Sequence, residues 1–330
     1  MEMMSFLVCP QCRGDLVRAG ASFACPKCNH EYPVIDGVAQ FDLRRSTEPN
    51  SDSGESRNDR QKYWDDGWEA RYRADHATLA ELKTSAQWVA YVEQECIRAH
   101  RHVSQVEAGR QVVEGKVVLD IGCGGGNSSA IFGYFGANYI GIDHSPHAAM
   151  YALRHLKAVG GNGFTIQGNA ESLPIRDQSI DVVYSNGVLH HTPNFSTAMD
   201  EAYRVLKPGG KAVIALYATY STQFGVLRLL GAVKGHLSRQ ARERWMGRAT
   251  EGAWRTGNKL NPWTETFSAA QLRKFARKHE VQKLTFRKNG DPIGEIPRLG
   301  GVLMRSKVIR QLDRALEPLL GSMLIMSFEK

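Results

Sequence analysis

Four of the six cysteines lie within the first 28 residues, as two pairs whose spacing suits a metal ion. Cys9 and Cys12 are separated by two residues, as are Cys25 and Cys28, and twelve residues lie between the pairs. A tight turn lets both sulfurs of a pair reach one ion, and two pairs complete a tetrahedral thiolate site. Because four thiolates leave no open coordination position, we expect a structural zinc ion. A module of about 40 residues is too small to stabilise itself, so metal binding would supply much of its folding free energy.

A second pattern is a strand that ends in a glycine-rich turn, at Val117–Asn127 (VVLDIGCGGGN). Glycines at such a turn let the backbone approach a ligand closely. Asp143 follows Gly124 by nineteen residues and ends the next strand, a spacing suited to the two hydroxyls of a ribose. The glycine spacing is G-x-G-x-G rather than the G-x-G-x-x-G of dinucleotide-binding turns, and Asp120 precedes the first glycine. A carboxylate there favours a cationic amino-acid ligand over a pyrophosphate.

Strands and helices alternate around this turn, which predicts a parallel sheet with helices on both faces. The periodicity predicts strands at 116–121, 138–143, 164–168, 179–186, 211–218, 281–288 and 322–328. It predicts helices at 127–135, 147–159, 196–206, 269–279 and 305–320, and a basic, helical segment at 221–255. The helix at 196–206 is followed by Lys207-Pro208-Gly209-Gly210, a strong stop signal.

An ordered series of motifs follows the glycine turn along the same stretch, from Val117 to Tyr217. They are LDIGCGGG at 119–126, GIDHS at 141–145, GNAESLP at 168–174, IDVVYSN at 180–186, VLHH at 188–191 and RVLKPGG at 204–210. This series resembles class I S-adenosylmethionine-dependent methyltransferases of the type 11 kind. The resemblance implies an α/β, Rossmann-like fold whose seven-stranded sheet carries helices on both faces. It also implies S-adenosylmethionine as the cofactor.

The resemblance assigns roles to individual residues of this sequence. It implies that Asp120 and the backbone of Gly122, Gly124 and Gly126 hold the methionine part of the cofactor. Asp143 would bind the ribose hydroxyls, His144 would flank the adenine, and Asn169 and Ala170 would meet the adenine edge. Asn186 and Gly187 would lie beside the sulfonium and its methyl group. Asn169 stands where many relatives carry aspartate, and its amide oxygen can still meet the adenine amino group.

The N-terminal segment carries a resemblance of its own over residues 6–41. Cys-Pro-x-Cys, a second Cys-x-x-Cys and YPVIDG at 32–37 together resemble the small zinc-ribbon proteins that bind and activate methyltransferases. The resemblance implies a ribbon that serves as a surface for a protein partner. In this chain the ribbon is fused to its own catalytic domain.

The acceptor side is predicted from the segment after the fourth strand of the sheet. Methyl transfer from a sulfonium is an in-line displacement, so the protein chiefly positions the acceptor. His190 and His191 follow that strand, and either is a candidate base for a hydroxyl, phenol or amine proton. The alternative is that the pair only shapes the loop before the next helix. Candidates for lining the acceptor pocket are Tyr63, Trp64, Tyr217 and Tyr220, although aromatic residues on the 61–91 helices are more often core.

The composition is that of a globular chain, with 42% hydrophobic and 23% charged residues. It excludes a mostly disordered chain, a collagen-like chain and a polytopic membrane protein. Without a signal peptide or an apolar run of about 20 residues, we expect no membrane span and a cytoplasmic location. We expect a zinc ribbon at 1–45, a polar linker at 46–60, a helical lid at 61–115 and a methyltransferase domain at 116–330. Basic inserts in that domain are expected at 221–266 and 289–321, and the sequence makes no prediction of oligomeric state.

The net charge of +8 is unevenly distributed along the chain. Residues 1–218 carry 21 Lys and Arg against 25 Asp and Glu, whereas residues 219–330 carry 21 against 9. The positive excess therefore lies in the segments that should cover the acceptor. Its members include Lys234, Arg239, Arg242, Arg244, Arg248, Arg255 and Lys259.

Three functional hypotheses follow. The first is a methyltransferase for a small-molecule acceptor that is anionic or presented on a carrier, because long inserts and aromatic residues favour a closed pocket. The second is a methyltransferase for rRNA or tRNA that grips RNA through the ribbon and the basic lobe. The ribbon is not strongly basic, and no Asn-Pro-Pro-Tyr motif follows the fourth strand. The third is a non-catalytic, cofactor-binding subunit that recruits a partner, which the presence of Asp120 and Asp143 argues against.

Overall fold

The computed structural model describes residues 5–41, 62–70, 82–98, 107–233, 264–296 and 299–330. The chain divides into two compact units. The first contains Met1–Ser185, Asn194–Val213 and Lys330, and the second contains Asn186–Pro193 and Ile214–Glu329. The expected domain boundaries near residues 45 and 60 fall outside the described residues and stay predictions. Among the helices that are described, none is long and apolar enough to cross a membrane.

The ribbon is a meander of four short antiparallel strands at the start of the first unit. They are β1 (Val17–Ala19), β2 (Ser22–Ala24), β3 (Glu31–Ile35) and β4 (Val38–Gln40). The ring centroid of Phe41 lies 4.9 Å from that of Tyr32 and 6.3 Å from that of Phe23. These three buried rings form a small apolar core beside the cysteines.

The main sheet of the first unit is built from near-continuous apolar strands, as expected for strands covered on both faces. They are β5 (Val117–Ile121), β6 (Asn138–Asp143), β7 (Asn162–Gln167), β8 (Ile180–Asn186) and β9 (Leu206–Tyr217). The order in this unit is β1-β2-β3-β4-β7-β6-β5-β8-β9. β4 pairs in parallel with β7, with Ala39 opposite Ile166 and Gln40 opposite Gln167. The ribbon therefore extends the sheet by four strands.

The second unit continues from the end of β9, which passes between the units at Val213. Its other strands are β10 (Gln282–Asn289) and β11 (Met323–Glu329), which pair antiparallel in the order β9-β11-β10. β5 to β11 are the seven strands that the sequence predicts, and the α/β fold class is confirmed. The prediction is incomplete in count because the ribbon adds strands to the same sheet.

Four of the described helices begin next to a residue whose side chain accepts a capping hydrogen bond, namely Thr84, Ser145, Asn194 and Ser268. The helices are α1 (62–70), α2 (Ser85–Tyr91), α3 (Arg110–Val113), α4 (Asn127–Tyr134), α5 (Pro146–Ala158), α6 (Phe195–Val205), α7 (Thr222–Val233), α8 (Ala269–Lys278), α9 (Gly300–Leu303) and α10 (Lys307–Leu320). One π-helical turn, Val92–Cys96, extends α2, and Leu189–His191 form a 3-10 turn. Thr84 and Ser268 each form a capping box with the glutamine three residues later.

β9 begins five residues before the predicted strand. The Lys207–Gly210 segment ends α6, as predicted, but it belongs to the strand. The amide of Gly209 donates to the carbonyl of Lys330 at 2.8 Å, and the amide of Lys330 donates to Gly210 at 2.9 Å. Hydrogen bonds to Lys330, which is distant in sequence, therefore hold as strand a segment that reads locally as a stop signal.

Candidate functional site

Asp120 lies at the end of β5 and is 1% exposed. Its Oδ2 accepts hydrogen bonds from Tyr139 OH at 2.7 Å and from Ser128 Oγ at 2.5 Å. Its Oδ1 is buried and has no hydrogen-bond partner among the described residues. Burial raises the pKa of Asp120 to about 6, against the lowering effect of the two hydroxyl donors. An unpaired buried carboxylate oxygen is costly, so this oxygen suits a ligand donor such as an ammonium group.

Asp143 ends the neighbouring parallel strand β6 and joins two pieces of backbone. Its Oδ2 accepts from the amide of Gly124 at 2.9 Å, and its Oδ1 accepts from the amide of Ser145 at 2.9 Å. Burial raises the pKa of Asp143, and these two amides oppose that shift. Each carboxylate oxygen keeps a further lone pair, so the group can still accept from ribose hydroxyls.

The glycine turn has a left-handed backbone at each predicted position. Gly122, Gly124 and Gly126 have φ values of +82°, +50° and +91°. A residue with a β-carbon is strained in this region, which explains why the turn needs glycine. The amide of Gly122 donates to the carbonyl of Ile142 at 2.7 Å, so β6 holds the turn in place.

Trp68 on α1 packs directly on this turn. A β-carbon at Gly124 would lie 2.7 Å from the Trp68 ring, and one at Gly125 would lie 2.9 Å from it. Asp65 on the same helix accepts from Ser145 Oγ at 2.5 Å, and its carboxylate lies 2.8 Å from His147 Nδ1. α1 thus forms one wall of the turn. The sequence did not single out Trp68 or Asp65. Trp68 is one of several aromatic residues in this segment, and Asp65 lies among them with no pattern that marks it.

The predicted adenine side lies after β6 and β7. His144, Asn169 and Ala170 are half-buried. Gln167 Nε2 donates to the carbonyl of His144 at 3.2 Å, and Asn169 Oδ1 accepts from the amide of Glu171 at 3.0 Å. The structure therefore brings these residues, Asp120 and Asp143 to the carboxyl edge of three neighbouring parallel strands, where open α/β sheets bind ligands.

The four ribbon cysteines form one cluster, and their sulfur atoms all lie within 4.8 Å of one another. The Sγ atoms of Cys9 and Cys28 are 3.5 Å apart, as are those of Cys12 and Cys25. A tetrahedron with zinc–sulfur bonds of about 2.3 Å has edges of about 3.8 Å. The cluster therefore fits a zinc ion, and none of the four cysteines is in a disulfide.

The two halves of this metal centre share one backbone pattern. Arg13 follows the first pair and Asn29 follows the second, and both have a positive φ, of 59° and 58°. The amides of these residues donate to the carbonyls of Cys9 and Cys25 at 2.9 and 2.8 Å. A β-carbon at Gly14 would lie 3.3 Å from the sulfurs of Cys12 and Cys25, so this glycine keeps space beside the cluster.

The first knuckle also contacts the chain that follows Asn169. Ser172 Oγ donates to the carbonyl of Pro10 at 3.0 Å, and the amide of Val8 donates to the carbonyl of Pro174 at 3.1 Å. Arg13 donates to the carbonyl of Leu173 at 2.8 Å and to Glu201 Oε1 at 2.7 Å. The chain around the first cysteine pair and the predicted adenine loop are therefore joined by direct hydrogen bonds.

Glu201 is the acidic centre of that contact. Burial alone would raise the pKa of Glu201, but its bonds to Arg204 and Arg13 outweigh burial and lower the pKa. Arg204 reaches its two carboxylate oxygens at 2.8 and 2.9 Å. The ionised carboxylate thus holds arginines from both the ribbon and α6.

In the second unit, the two candidate histidines lie against Tyr217. The ring centroid of His190 is 3.8 Å from that of Tyr217, and His191 Nδ1 lies 3.3 Å from Thr264 Oγ1. His190 is fully buried, and neither of its ring nitrogens has a hydrogen-bond partner among the described residues. Burial, followed by the neighbouring His191, holds the pKa of His190 well below its usual range, so its imidazole is neutral at neutral pH.

The remaining predicted residues, of the cofactor's sulfonium end and of the acceptor pocket, are placed as follows. Asn186 ends β8, and Gly187 has a φ of +74° with its amide donating to the carbonyl of Ala215 at 3.0 Å. Tyr220 is 71% exposed. In the first unit, Tyr63 is buried and packs edge-on against Trp64, with their ring centroids 5.2 Å apart. The predicted basic residues between Lys234 and Lys259 lie outside the described residues.

Comparison with known families divides the chain along the same lines. Residues 119–214 match the methyltransferase domain family. Residues 2–37 match the family of Trm112p-like proteins. Both resemblances inferred from the motifs are confirmed over these residues.

Curated relatives match the middle of the chain. A sterol 24-C-methyltransferase of Pneumocystis carinii is 34% identical over 129 residues, which cover 38% of this chain and 32% of that protein. An uncharacterized methyltransferase of Mycolicibacterium vanbaalenii is 37% identical over 114 residues, which cover 34% of this chain and 42% of that protein. The chain thus spans about a third to two fifths of the length of these relatives.

Solved structures match at lower identity. A complex of the Trm112 methyltransferase activator with a methyltransferase of Haloferax volcanii is 18% identical, covering 73% of this chain and 96% of that one with a TM-score of 0.47. Phosphoethanolamine N-methyltransferase 2 of Haemonchus contortus, in complex with S-adenosyl-L-methionine, is 18% identical, covering 66% of this chain and 49% of that one with a TM-score of 0.44.

Proposed function

We propose that this protein transfers a methyl group from S-adenosylmethionine to a small-molecule acceptor that is anionic or presented on a carrier. The observation that carries the proposal is Asp120. Its buried, unpartnered Oδ1 lies at the end of β5, where the glycine turn begins and where β6 presents Asp143. The free oxygen of Asp120 suits the ammonium group of a ligand, and the carboxylate of Asp143 beside it suits the hydroxyls of a ribose. The family match over residues 119–214 supports the same cofactor.

Four residues of the first unit have proposed tasks in holding that cofactor. Asp120 accepts from the ammonium group, Asp143 accepts from the ribose hydroxyls, and Asn169 meets the adenine edge. Trp68 covers the turn and keeps water from it, because its ring already contacts Gly124 and Gly125. S-adenosylmethionine, when bound, supplies an electrophilic methyl group on its sulfonium. The four ribbon cysteines hold a structural zinc ion and take no part in the transfer.

The nature of the acceptor is a separate part of the proposal. Residues 219–330 carry 21 basic against 9 acidic side chains, which supports an acceptor with negative charge. His190 is neutral at neutral pH, so one of its two ring nitrogens carries a hydrogen and the other can accept a hydrogen bond. We propose that it orients an acceptor hydroxyl or amine, and that it takes a proton only as the methyl transfer proceeds.

The test separates cofactor binding from transfer. Calorimetry with S-adenosylmethionine and S-adenosylhomocysteine is expected to show binding that Asp120→Asn abolishes. Asp36→Asn, which changes an exposed carboxylate in the ribbon, is the matched control and should bind normally. If the wild-type protein bound neither compound, the proposal would be wrong.

Methyl-labelled cofactor is then incubated with small-molecule, RNA and protein fractions of a cell extract. Sterols are included among the small molecules because a sterol 24-C-methyltransferase is a relative. Label in the small-molecule fraction supports the proposal, and label in an uncharged sterol would correct the charge assigned to the acceptor. Label in RNA identifies an RNA methyltransferase, and binding without any transfer identifies a non-catalytic subunit.

A further inference from the structure

Among the described residues, seven of the thirteen exposed large apolar side chains lie in one stretch of the second unit, residues 299–320. Its large exposed apolar side chains, with exposures between 37% and 71%, are Leu299, Val302, Leu303, Val308, Leu312, Leu319 and Leu320. We name this set the C-terminal apolar surface. Single exposed leucines are normal on proteins, whereas several exposed apolar side chains that share one face mark an interaction site.

The spacing along α10 aligns part of this surface into a stripe. Val308, Leu312, Ala315 and Leu319 follow one another at intervals of four, three and four residues, and all four are exposed. Side chains at these intervals lie on one face of a helix. The stripe therefore runs for about 17 Å along the helix, at a rise of about 1.5 Å per residue. The opposite face packs inward, with Asp313 only 2% exposed.

The charges of the same stretch are sorted by sign. Its exposed charged side chains are all basic, namely Arg305, Lys307 and Arg314. The acidic side chains turn inward. Asp313 Oδ1 accepts from the amide of Ile293 at 2.6 Å, and Glu317 Oε1 accepts from Asn289 Nδ2 at 2.5 Å. Outside, the stretch thus presents aliphatic groups beside positive charge and no exposed negative charge.

A second apolar helix begins beside the end of α10. Lys288 Nζ donates both to the carbonyl of Leu319, at 2.6 Å, and to the carbonyl of Tyr220. Tyr220 immediately precedes the segment leading into α7, where Leu229, Leu230 and Val233 are 66%, 39% and 78% exposed. These three lie at intervals of one and three residues, so α7 also has an exposed apolar side.

We propose that the second unit docks on the surface of an anionic lipid bilayer through the C-terminal apolar surface. The leucines and valines enter the boundary between headgroups and acyl chains, and Arg305, Lys307 and Arg314 meet lipid phosphates. A protein partner fits less well, because the large aromatic anchors of protein interfaces are tryptophan and tyrosine. The C-terminal apolar surface has only leucine and valine. The proposed docking is peripheral, since side chains and not a whole helix enter the bilayer.

The test is flotation of the full-length protein with phosphatidylcholine vesicles that contain or lack phosphatidylglycerol. The wild-type protein is expected to float with the anionic vesicles, less at high salt, and poorly with phosphatidylcholine alone. Leu312→Gln/Leu319→Gln should lower binding about tenfold or more, because each leucine loses the free energy of its burial in the bilayer. The fold should tolerate both changes, since the two side chains are 48% and 68% exposed. Lys307→Glu/Arg314→Glu should lower binding to anionic vesicles by at least about tenfold, since each basic residue contributes about fivefold.

The matched control is Val17→Ser/Ile35→Ser, which removes two exposed apolar side chains of the ribbon, 46% and 51% exposed. It should float like the wild type. Equal flotation of all variants, or no flotation of the wild type, would overturn the proposal. Light scattering without lipid tests the alternative occupant, a second copy of this chain. If the wild type were a dimer and Leu312→Gln/Leu319→Gln a monomer, the surface would be a dimer interface and the proposal would be wrong. Calorimetry with the cofactor, which the surface variants should leave unchanged, keeps this result separate from the proposed methyl transfer.

Discussion

Asp120 and Asp143 show how one residue type acquires two electrostatic environments at the ends of adjacent strands. Asp143 has a backbone amide on each oxygen, so its carboxylate organises the turn. Asp120 has both of its donors on one oxygen and none on the other among the described residues. A carboxylate that is buried and half-satisfied destabilises the protein without ligand and gains most from a cation. We therefore assign to Asp120 the larger share of the proposed discrimination for a positively charged cofactor.

The first prediction concerns the pH dependence of cofactor affinity. Burial raises the pKa of Asp120 to about 6 without ligand, and a cation favours the ionised form. Affinity should therefore be constant well above pH 6 and fall as the pH drops through that value, to about a tenth at pH 5. Calorimetry across this range checks the prediction. Asp36→Asn should keep the same profile, and a flat wild-type profile down to pH 5 would contradict the assignment.

At the scale of elements, two pieces of chain lie on the predicted cofactor side without belonging to the matched methyltransferase segment. One is α1, which Asp65 fastens to Ser145 and His147. The other is the ribbon, whose β4 pairs with β7 and whose Arg13 reaches Glu201. The contacts of Asp65 and Arg13 are made by polar side chains, so each of these two can be removed by a single substitution.

Asp65→Ala should release α1 from the glycine turn. The substitution removes the acceptor for Ser145 Oγ and His147, so residues 62–70 should exchange their amide hydrogens faster, and cofactor affinity should fall several-fold as Trp68 loses its position. Hydrogen exchange read by mass spectrometry, together with calorimetry, measures both effects. Lys62→Ala changes an exposed side chain of the same helix and serves as the control. Unchanged exchange in Asp65→Ala would show that apolar packing alone holds the helix.

Arg13→Ala should weaken the attachment of the ribbon. It removes hydrogen bonds to the carbonyl of Leu173 and to Glu201, which keeps its bonds to Arg204. We expect a loss of about 1–2 kcal/mol in the free energy of unfolding, measured by urea denaturation. Arg98→Ala removes an arginine from an exposed pair with Glu95, and such pairs contribute little. Equal losses in the two variants would mean that the Arg13 contact adds nothing specific.

For the whole molecule, the ribbon, its metal centre and the cofactor side form one compact unit. The chain around Cys9 and Cys12 holds the segment Ser172–Pro174 through the carbonyl of Pro10 and the amide of Val8. That segment follows directly after Asn169 and Ala170. A change at the cysteine cluster should therefore reach the predicted adenine side through these hydrogen bonds.

Removal of zinc by a chelator should lower both thermal stability and cofactor affinity. Without the ion, the knuckles lose the bonds that define their shape, and the loop after β7 loses its support. Released metal, the melting temperature and the dissociation constant of the cofactor are measured on the same sample. Arg13→Ala, which should keep its zinc, is expected to show a smaller loss of affinity. If the chelated protein released its zinc yet bound the cofactor as before, metal centre and cofactor side would be independent.

The sequence by itself determined the features that depend on short stretches of chain. Cysteine spacing identified the four-cysteine cluster, and the glycine-rich sequence identified the turn between β5 and α4, whose glycines have positive φ values in the structure. The apolar pattern predicted all seven strands from β5 to β11, because a buried strand is visible in five or six consecutive residues. The positions of Asp120 and Asp143 at strand ends followed from the same local patterns.

Only the tertiary structure decided which distant residues meet. Trp68 and Gly124, or Arg13 and Glu201, are far apart in sequence, and no local pattern marks either pair. The ribbon was expected as a separate module. Its strands are part of the main sheet because β4 pairs in parallel with β7, the edge strand of the methyltransferase segment. The sorting of charge on residues 299–320 has the same origin. The helical period shows which side chains share a face, whereas packing against the rest of the unit determines which face is buried.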